Sequence, residues 1–314
     1  MKNYVLGIDT SNYTTSIAVI DDQANLILDH RKILTVKEGE RGLRQSDALF
    51  QHIMNMPVLF SKLSDLNIGH RIKTVSVSSR PRPVEGSYMP VFRASQSFGK
   101  IIANTLNCEY KEFSHQEGHI EAAKWSSKQM LDSEFLAVHV SGGTTEILHV
   151  KNNDKFGYNI NILGGTLDIS AGQFIDRIGV KLGFSFPAGK RMDELIMGSK
   201  NTEISLPVSV KDTYMSFSGP ETAANKLIQE KYDKDIIAMA VFKCIARSLK
   251  KTIKNSCKNT RLKQILLTGG VASSEYIRSY LLKQFSRENY KIYFGNRKYC
   301  TDNAVGTALL AIKR

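Results

Sequence analysis

No run of apolar residues in this 314-residue chain approaches the roughly 18 that a membrane-spanning helix requires, which argues against a bilayer protein. A secretory leader is also missing from the pattern: Met1 to Asp9 reaches an acidic residue too soon and reads as the opening strand of a domain. The four cysteines, Cys108, Cys244, Cys257 and Cys300, lie far apart and form no CxxC, so reduced thiols in a cytoplasmic protein are expected. There is no linker or low-complexity segment. Acidic residues are in short supply, 30 against 43 Lys and Arg, and the net charge of +13 favours an anionic partner, nucleic acid foremost. What is present, 42% hydrophobic and 23% charged residues, is the composition of a globular chain long enough for two ordinary domains.

Strand-like and helix-like patterns alternate along it, which predicts an α/β class. Residues 4–20 run from Tyr-Val-Leu-Gly-Ile through a hydroxyl-rich centre to Ser-Ile-Ala-Val-Ile, a β-hairpin pattern. A second copy follows at Phe135 to Val150, in which Ser141 falls on Ser11, Thr144 on Thr14, Thr145 on Thr15 and Ile147 on Ile17. We read this as an internal duplication. Between the copies, Ser46 to Leu63 has a helical period with Pro57 as an expected kink or break. Ile72 to Val77 reads as a strand, Arg80-Pro-Arg-Pro-Val-Glu-Gly as a loop, Ala94 to Leu106 as a helix and Glu109 to Phe113 as a short strand. Beyond the second copy, Leu163 to Asp168 reads as a turn, Ser170 to Leu182 as a helix and residues 199–220 as polar and irregular. Lys234 to Ile253 is the longest periodic helix, with a basic tail to Lys263. A strand at Gln264, a Gly269-Gly270 turn, a helix from Ser273 to Phe285, a strand from Lys291 and a helix from Asn303 complete the chain.

One short stretch carries metal chemistry on its face. His115 and His119 are four apart, so on a helix both imidazoles leave one face, the spacing that two neutral ligands of a divalent metal need. The plainer alternative is two histidines sharing a face by chance, and further ligands must come from elsewhere. The hairpin tips and the Gly-Gly turn suggest a nucleotide held between duplicated halves. Gly142 and Gly143 would let backbone amides approach phosphate oxygens, with Ser141 and Thr144 as hydroxyl donors. Gly269-Gly270 stands before a helix whose N-terminus favours anions.

In their order along the chain, the following pieces resemble the universal tRNA threonylcarbamoyl-adenosine synthase family: Gly7-Ile-Asp-Thr-Ser11, His115-Gln-Glu-Gly-His119, Val140-Ser-Gly-Gly-Thr144, Ala171-Gly-Gln-Phe-Ile-Asp176, Pro187-Ala-Gly189, Ser216-Phe-Ser-Gly219, Gly269-Gly-Val271 and Cys300-Thr-Asp-Asn303. The resemblance implies the duplicated fold of actin-like ATPases and sugar kinases, two α/β lobes with a nucleotide cleft between them. Lobes at 1–133 and 134–302 are expected, with 303–314 a C-terminal helix packing back on the first. It implies Asp302 as a third ligand beside His115 and His119 for one iron or zinc, with Asn303 free to cap the last helix in its place. It further implies Val140, Ser141, Gly142, Gly143, Thr144, Asp176, Gly189, Gly269, Gly270 and Ser274 as contacts for an adenylate or ATP-like nucleotide. Asp176 would meet ribose hydroxyls. The implied reaction moves threonylcarbamoyl from its adenylate to N6 of adenosine 37 in tRNA, in company with partner proteins. A non-catalytic metal- and nucleotide-binding paralogue and an ATP-dependent kinase are the alternatives. A metalloprotease is disfavoured, because Gln116 holds the place of the general-base Glu, with Glu117 one residue on. The chain departs from the family pattern at Tyr13 and Thr14, where acids are usual, at Arg80-Pro-Arg-Pro83 in place of Gly-Pro-Gly, and at Thr144, Gln173 and Ser274. A basic run from Lys250 to Lys263 is either a tRNA-facing patch or a solvated helix end.

Overall fold

The first hairpin forms because every residue of Tyr4–Asp9 (β1) and Thr14–Asp21 (β2) is buried, which suits β-branched and aliphatic side chains on both sheet faces. A computed structural model of the chain describes residues 2–11, 13–36, 42–153, 155–199 and 204–312. β1 and β2 are antiparallel, with Ile8 opposite Ile17, and Leu26–Ile33 (β3) extends the meander beyond the hairpin expected. Asn12, at the expected hydroxyl-rich tip, lies outside the described residues.

Gln45–Ser64 (α1) follows, then Ile72–Arg80 (β4), Phe92–Leu106 (α2), Glu109–Ser114 (β5) and His115–Ser127 (α3). Of the kink or break expected at Pro57, the break does not occur: α1 runs through it. Pro57 lies on the exposed side of the helix, where water can serve the Ile53 carbonyl that loses its partner. The sheet order is β3-β2-β1-β4-β5, with β4 parallel to both β1 and β5. Leu6, Ile8, Val75 and Val77 from the sheet pack with Met56, Leu59 and Leu63 of α1 and Ala103 of α2. Each such side chain contributes about 1.5–3 kcal/mol by leaving water.

The second copy repeats the plan. It comprises Glu134–Val140 (β6), Thr145–Asn152 (β7), Tyr158–Thr166 (β8), Ala171–Lys181 (α4), Gly189–Met197 (α5), Ser209–Lys211 (β9), Tyr214–Ser216 (β10), Ser218–Gln229 (α6), Lys234–Thr260 (α7), Gln264–Thr268 (β11), Glu275–Phe285 (α8) and Lys291–Phe294 (β12). Its sheet order, β12-β11-β6-β7-β8-β10-β9, contains the first sheet's order with two small strands added at one edge. β11 takes the place of β4 and β12 that of β5. Phe174 and Phe217 stack at 5.7 Å within a core shared with Val138, Ile147, Phe242 and Leu267.

Several expectations need correction here. The stretch from Leu163 is strand as far as Thr166, because Gly164 and Gly165 lie hard against Thr213 and Thr145, where no side chain fits. The polar stretch at 199–220 contains β9, β10 and the start of α6, while residues 200–203 lie outside the described set. α5 was not anticipated. The last helix, Val305–Leu310 (α9), begins two residues after Asn303, whose Oδ1 accepts from the amides of Val305 (3.0 Å) and Gly306 (3.4 Å).

The chain divides into two compact units, one of residues 1–128, 152–159 and 301–314, the other of 129–151 and 160–300. The division differs from the expected 1–133 and 134–302 mainly in giving the 152–159 segment and Thr301-Asp302 to the first unit. Within that unit α9 lies on α3 and β1: a side chain at Gly306 would overlap the Gly118 carbonyl, and one at Gly7 the Ala304 carbonyl. Ser76 and Ser78 of β4 bond the carbonyl and hydroxyl of Thr307 at 2.7 and 3.0 Å.

Candidate metal centre and substrate loops

The parallel strands β1, β4 and β5 end on one edge of the first sheet, where open α/β sheets place their ligands. Asp9 ends β1, and Ser114 ends β5 and opens α3. Ser114 and Glu117 form a reciprocal capping box: Ser114 Oγ accepts from the Glu117 amide (3.2 Å), and Glu117 Oε2 accepts from the Ser114 amide (2.8 Å). Glu117 Oε1 also accepts from the Tyr158 amide at 3.2 Å. Glu117 therefore fixes the start of α3, and both its oxygens are spent on the backbone, which further argues against a protease base.

Held this way, His115 and His119 leave α3 with ring centroids 4.3 Å apart, edge to face. Asp302, just before α9, brings Oδ1 to 3.5 Å from His115 Nε2 and 3.4 Å from His119 Nε2. Both spacings are long for a charge-assisted hydrogen bond but match the edge of a tetrahedron of ligands about 2.0–2.1 Å from a metal, about 3.3–3.4 Å. Ligand atoms of all three residues lie within 4.8 Å of one another. Two imidazoles and a carboxylate are the donor set of iron or zinc with positions left open. The residues present fit a divalent metal.

The two carboxylates, Asp9 and Asp302, make the centre attractive to a cation, and without a metal that cation is a proton on His115. Burial works against a charged His115, yet the carboxylates of Asp9 and Asp302 hold its imidazole well above the ordinary value. His119 goes the other way, lowered by burial and by the charge on His115. Asp302 is held well below the usual carboxylate range: burial opposes its charge, but the two imidazoles outweigh it. Asp9, which the sequence reading left without a role, sits behind the centre. Its Oδ2 is 3.4 Å from His115 Nδ1 and accepts from Ser11 Oγ at 2.7 Å. A carboxylate behind a ligating histidine fixes its tautomer and orientation. In the sequence it stands within Gly7-Ile-Asp-Thr-Ser11, an acid ending an apolar strand pattern.

The residues expected to contact a nucleotide lie in the second unit. The Val140 to Thr144 turn is closed by the Ser141 amide to the Thr144 carbonyl (2.7 Å) and the Thr144 amide to Ser141 Oγ (3.1 Å). Ser170 Oγ donates to the Gly142 carbonyl at 2.6 Å, which seats the turn on the N-terminus of α4. Gly142, Gly143 and Gly270 face open space, whereas Gly269, at φ +100°, lies against the Val140 carbonyl. The tip and the Gly-Gly turn are thus brought together. Asp176 accepts from the Ala188 amide (2.8 Å) just before Gly189, and burial holds its carboxyl above the ordinary range against those amides. Ser274 caps α8, accepting from the Ile277 amide, and donates to Asp193 Oδ1 at 2.6 Å. Asp193, on α5, also accepts from the Glu275 amide, a link that sequence reasoning missed because α5 was missed.

Comparison with known proteins follows the same outline. The family model of tRNA N6-adenosine threonylcarbamoyltransferase matches residues 38–309. The enzyme of that name from Thermosipho africanus (strain TCF52B) is 30% identical over 319 residues, spanning 98% of this chain and 93% of its own. Its namesake from Buchnera aphidicola subsp. Cinara cedri is 31% identical over 317 residues, spanning 96% and 89%. Among solved structures, component A of the Acidaminococcus fermentans (R)-2-hydroxyglutaryl-CoA dehydratase matches with a TM-score of 0.59 at 15% identity over 99% of this chain and 98% of that one. A ROK family glucokinase from Streptomyces griseus, in complex with glucose and AMPPNP, matches with a TM-score of 0.54 at 10% identity over 99% of both chains. These likenesses are of fold, that of the actin-like ATPases and sugar kinases. The chain belongs to the tRNA N6-adenosine threonylcarbamoyltransferase family.

Proposed function

We infer that this protein transfers a threonylcarbamoyl group from threonylcarbamoyl-adenylate to N6 of adenosine 37 in tRNA. The observation that carries the reading is the convergence of His115, His119 and Asp302 in a chain of this family. These three residues would hold one divalent metal, iron or zinc, which when bound would supply Lewis-acid polarisation at the carbamoyl carbonyl. Asp9 keeps His115 turned with Nδ1 inward and Nε2 toward Asp302.

In the second unit the Ser141 to Thr144 turn, with open space over Gly142 and Gly143, suits a phosphate that backbone amides approach. Asp176 gives one carboxylate oxygen to the Ala188 amide, and a ribose hydroxyl could donate to the other. Gly189 and Gly270 leave room for the nucleoside. Ser274 acts through Asp193, positioning α8 against α5. Partner proteins of a modification complex and a cytoplasmic site of action belong to the same proposal. Among the described residues no helix is long and apolar enough to cross a membrane.

The test is incubation of the chain with threonylcarbamoyl-adenylate and unmodified tRNA, with partner proteins supplied, followed by nucleoside analysis. Threonylcarbamoyl-adenosine should form, and His119→Ala should abolish it. Bound metal and nucleotide without any modified nucleoside would point to a non-catalytic paralogue. Phosphate transfer from ATP to a small acceptor would point to a kinase.

A further inference from the structure

Both ends of the loop between β4 and α2 abut the metal-ligand residue His115. At one end Arg80 is paired in register with Ser114, the residue before His115. The Gln116 amide, just after it, donates to the Pro81 carbonyl at 3.1 Å. At the other end the Phe92 ring lies 6.1 Å from the His115 ring. The loop is ordered by a bond within it, the Arg82 amide to Ser87 Oγ (3.0 Å), and by one from outside it, Thr10 Oγ1 just after β1 to the Val91 carbonyl (2.8 Å).

What the loop presents is cationic and aromatic. Residues 80–93 contain three arginines, Arg80, Arg82 and Arg93, against one acid, Glu85. Among the described residues neither Arg80 nor Arg93 has a carboxylate partner; Arg80 reaches Ser79 Oγ (3.2 Å) and Arg93 reaches Gln96 (3.2 Å). Tyr88 is 59% exposed, and the Arg93 guanidinium lies 5.2 Å from its ring centroid. An exposed ring beside guanidinium groups matches an unpaired base between phosphates, for which stacking gives affinity and arginines neutralise the backbone. The basic run on α7 is less free: Lys250 bonds Gln284 and Lys254 pairs with Glu288 at 2.5 Å.

We propose that residues 80–93 form the surface on which a single-stranded RNA loop docks beside the metal centre, with Tyr88 stacking on an unpaired base and Arg80, Arg82 and Arg93 meeting the flanking phosphates. The inference rests on the tRNA reading above and adds the residues of this chain that receive the RNA.

The experiment measures binding of a fluorescent anticodon stem–loop RNA to the full chain over a salt series, with AMP as a second probe. Tyr88→Ala should weaken RNA binding about 5- to 100-fold, Tyr88→Leu similarly, while Tyr88→Phe stays within about two-fold of wild type. The double variant Arg80→Ala/Arg93→Ala should weaken RNA binding and reduce the slope of log affinity against log salt by about 1.4. AMP binding should not change in any of them. A wild-type chain that does not bind the stem–loop, or variants that bind it as tightly as wild type, overturn the proposal. So does a loss of AMP affinity that matches the loss for RNA, which would assign the arginines to a nucleotide phosphate. Docking through Tyr88 without formation of modified adenosine would overturn the transferase reading and leave this surface standing. Transfer by wild type, with unchanged KM for tRNA in the variants, would overturn the surface alone.

Discussion

Asp9 is the residue whose removal best separates orientation from ligation. It touches His115 through Nδ1 and leaves Nε2 to the centre. Asp9→Asn should reduce metal affinity about 10- to 100-fold, as loss of a carboxylate behind a ligating histidine does. Its metal-free melting should fall too, because the substitution leaves the buried, charged His115 with one carboxylate fewer. His115→Ala and Asp302→Ala should instead abolish retention, with about one iron or zinc per wild-type chain measured by elemental analysis. If Asp9→Asn binds metal as tightly as wild type, the orienting role is wrong.

At the scale of an element, α9 decides whether the centre exists. Its backbone rests on α3 at Gly118 and Gly306, and Asp302 lies three residues before its first residue. Gly306→Ala forces a methyl into the Gly118 carbonyl. It should cost about 1–3 kcal/mol of stability and lower metal content with it; a variant with full metal and unchanged melting would refute the linkage. The β2–β3 turn gives a pH-dependent test. Burial disfavours charge on Asp21, but its bonds to Asn25, Lys2 and the Gln23 amide outweigh this and push the carboxyl down to about 2. A depressed carboxylate stabilises fully above its unfolded value near 3.8 and loses this as pH falls through about 2. Asp21→Asn should therefore be less stable than wild type at neutral pH by urea denaturation, with the gap closing only below pH 3.8. A constant gap down to the acid limit would show that geometry, not charge, matters there.

At the scale of the whole molecule, all three candidate ligands belong to the unit that joins residues 1–128 to 301–314. Metal that binds the folded state alone stabilises it by about 2.7 kcal/mol at a hundredfold excess over Kd. Chelation should thus lower the calorimetric transition of that unit and leave the other in place; a uniform shift of both would contradict the assignment. Much of this was legible beforehand. The two hairpins, the histidine helix, the strand before Gly269-Gly270 and the capping role of Asn303 follow from periodicity, spacing and side-chain chemistry, all local properties. No break occurs at Pro57, because its side of α1 faces water, which a local rule does not read. The strand through Gly164 and Gly165 was hidden because glycines favour turns locally, while the packed backbones of Thr213 and Thr145 require them. By itself, then, the sequence determined the α/β class, the duplication and which side chains carry ligand chemistry. Only the tertiary structure showed the contact of Asp302 with His119 across 183 residues that the resemblance implied, that Asp9 backs His115 and that the 80–93 loop abuts it at both ends. Such contacts depend on how buried surfaces pack, and no short-range pattern encodes that.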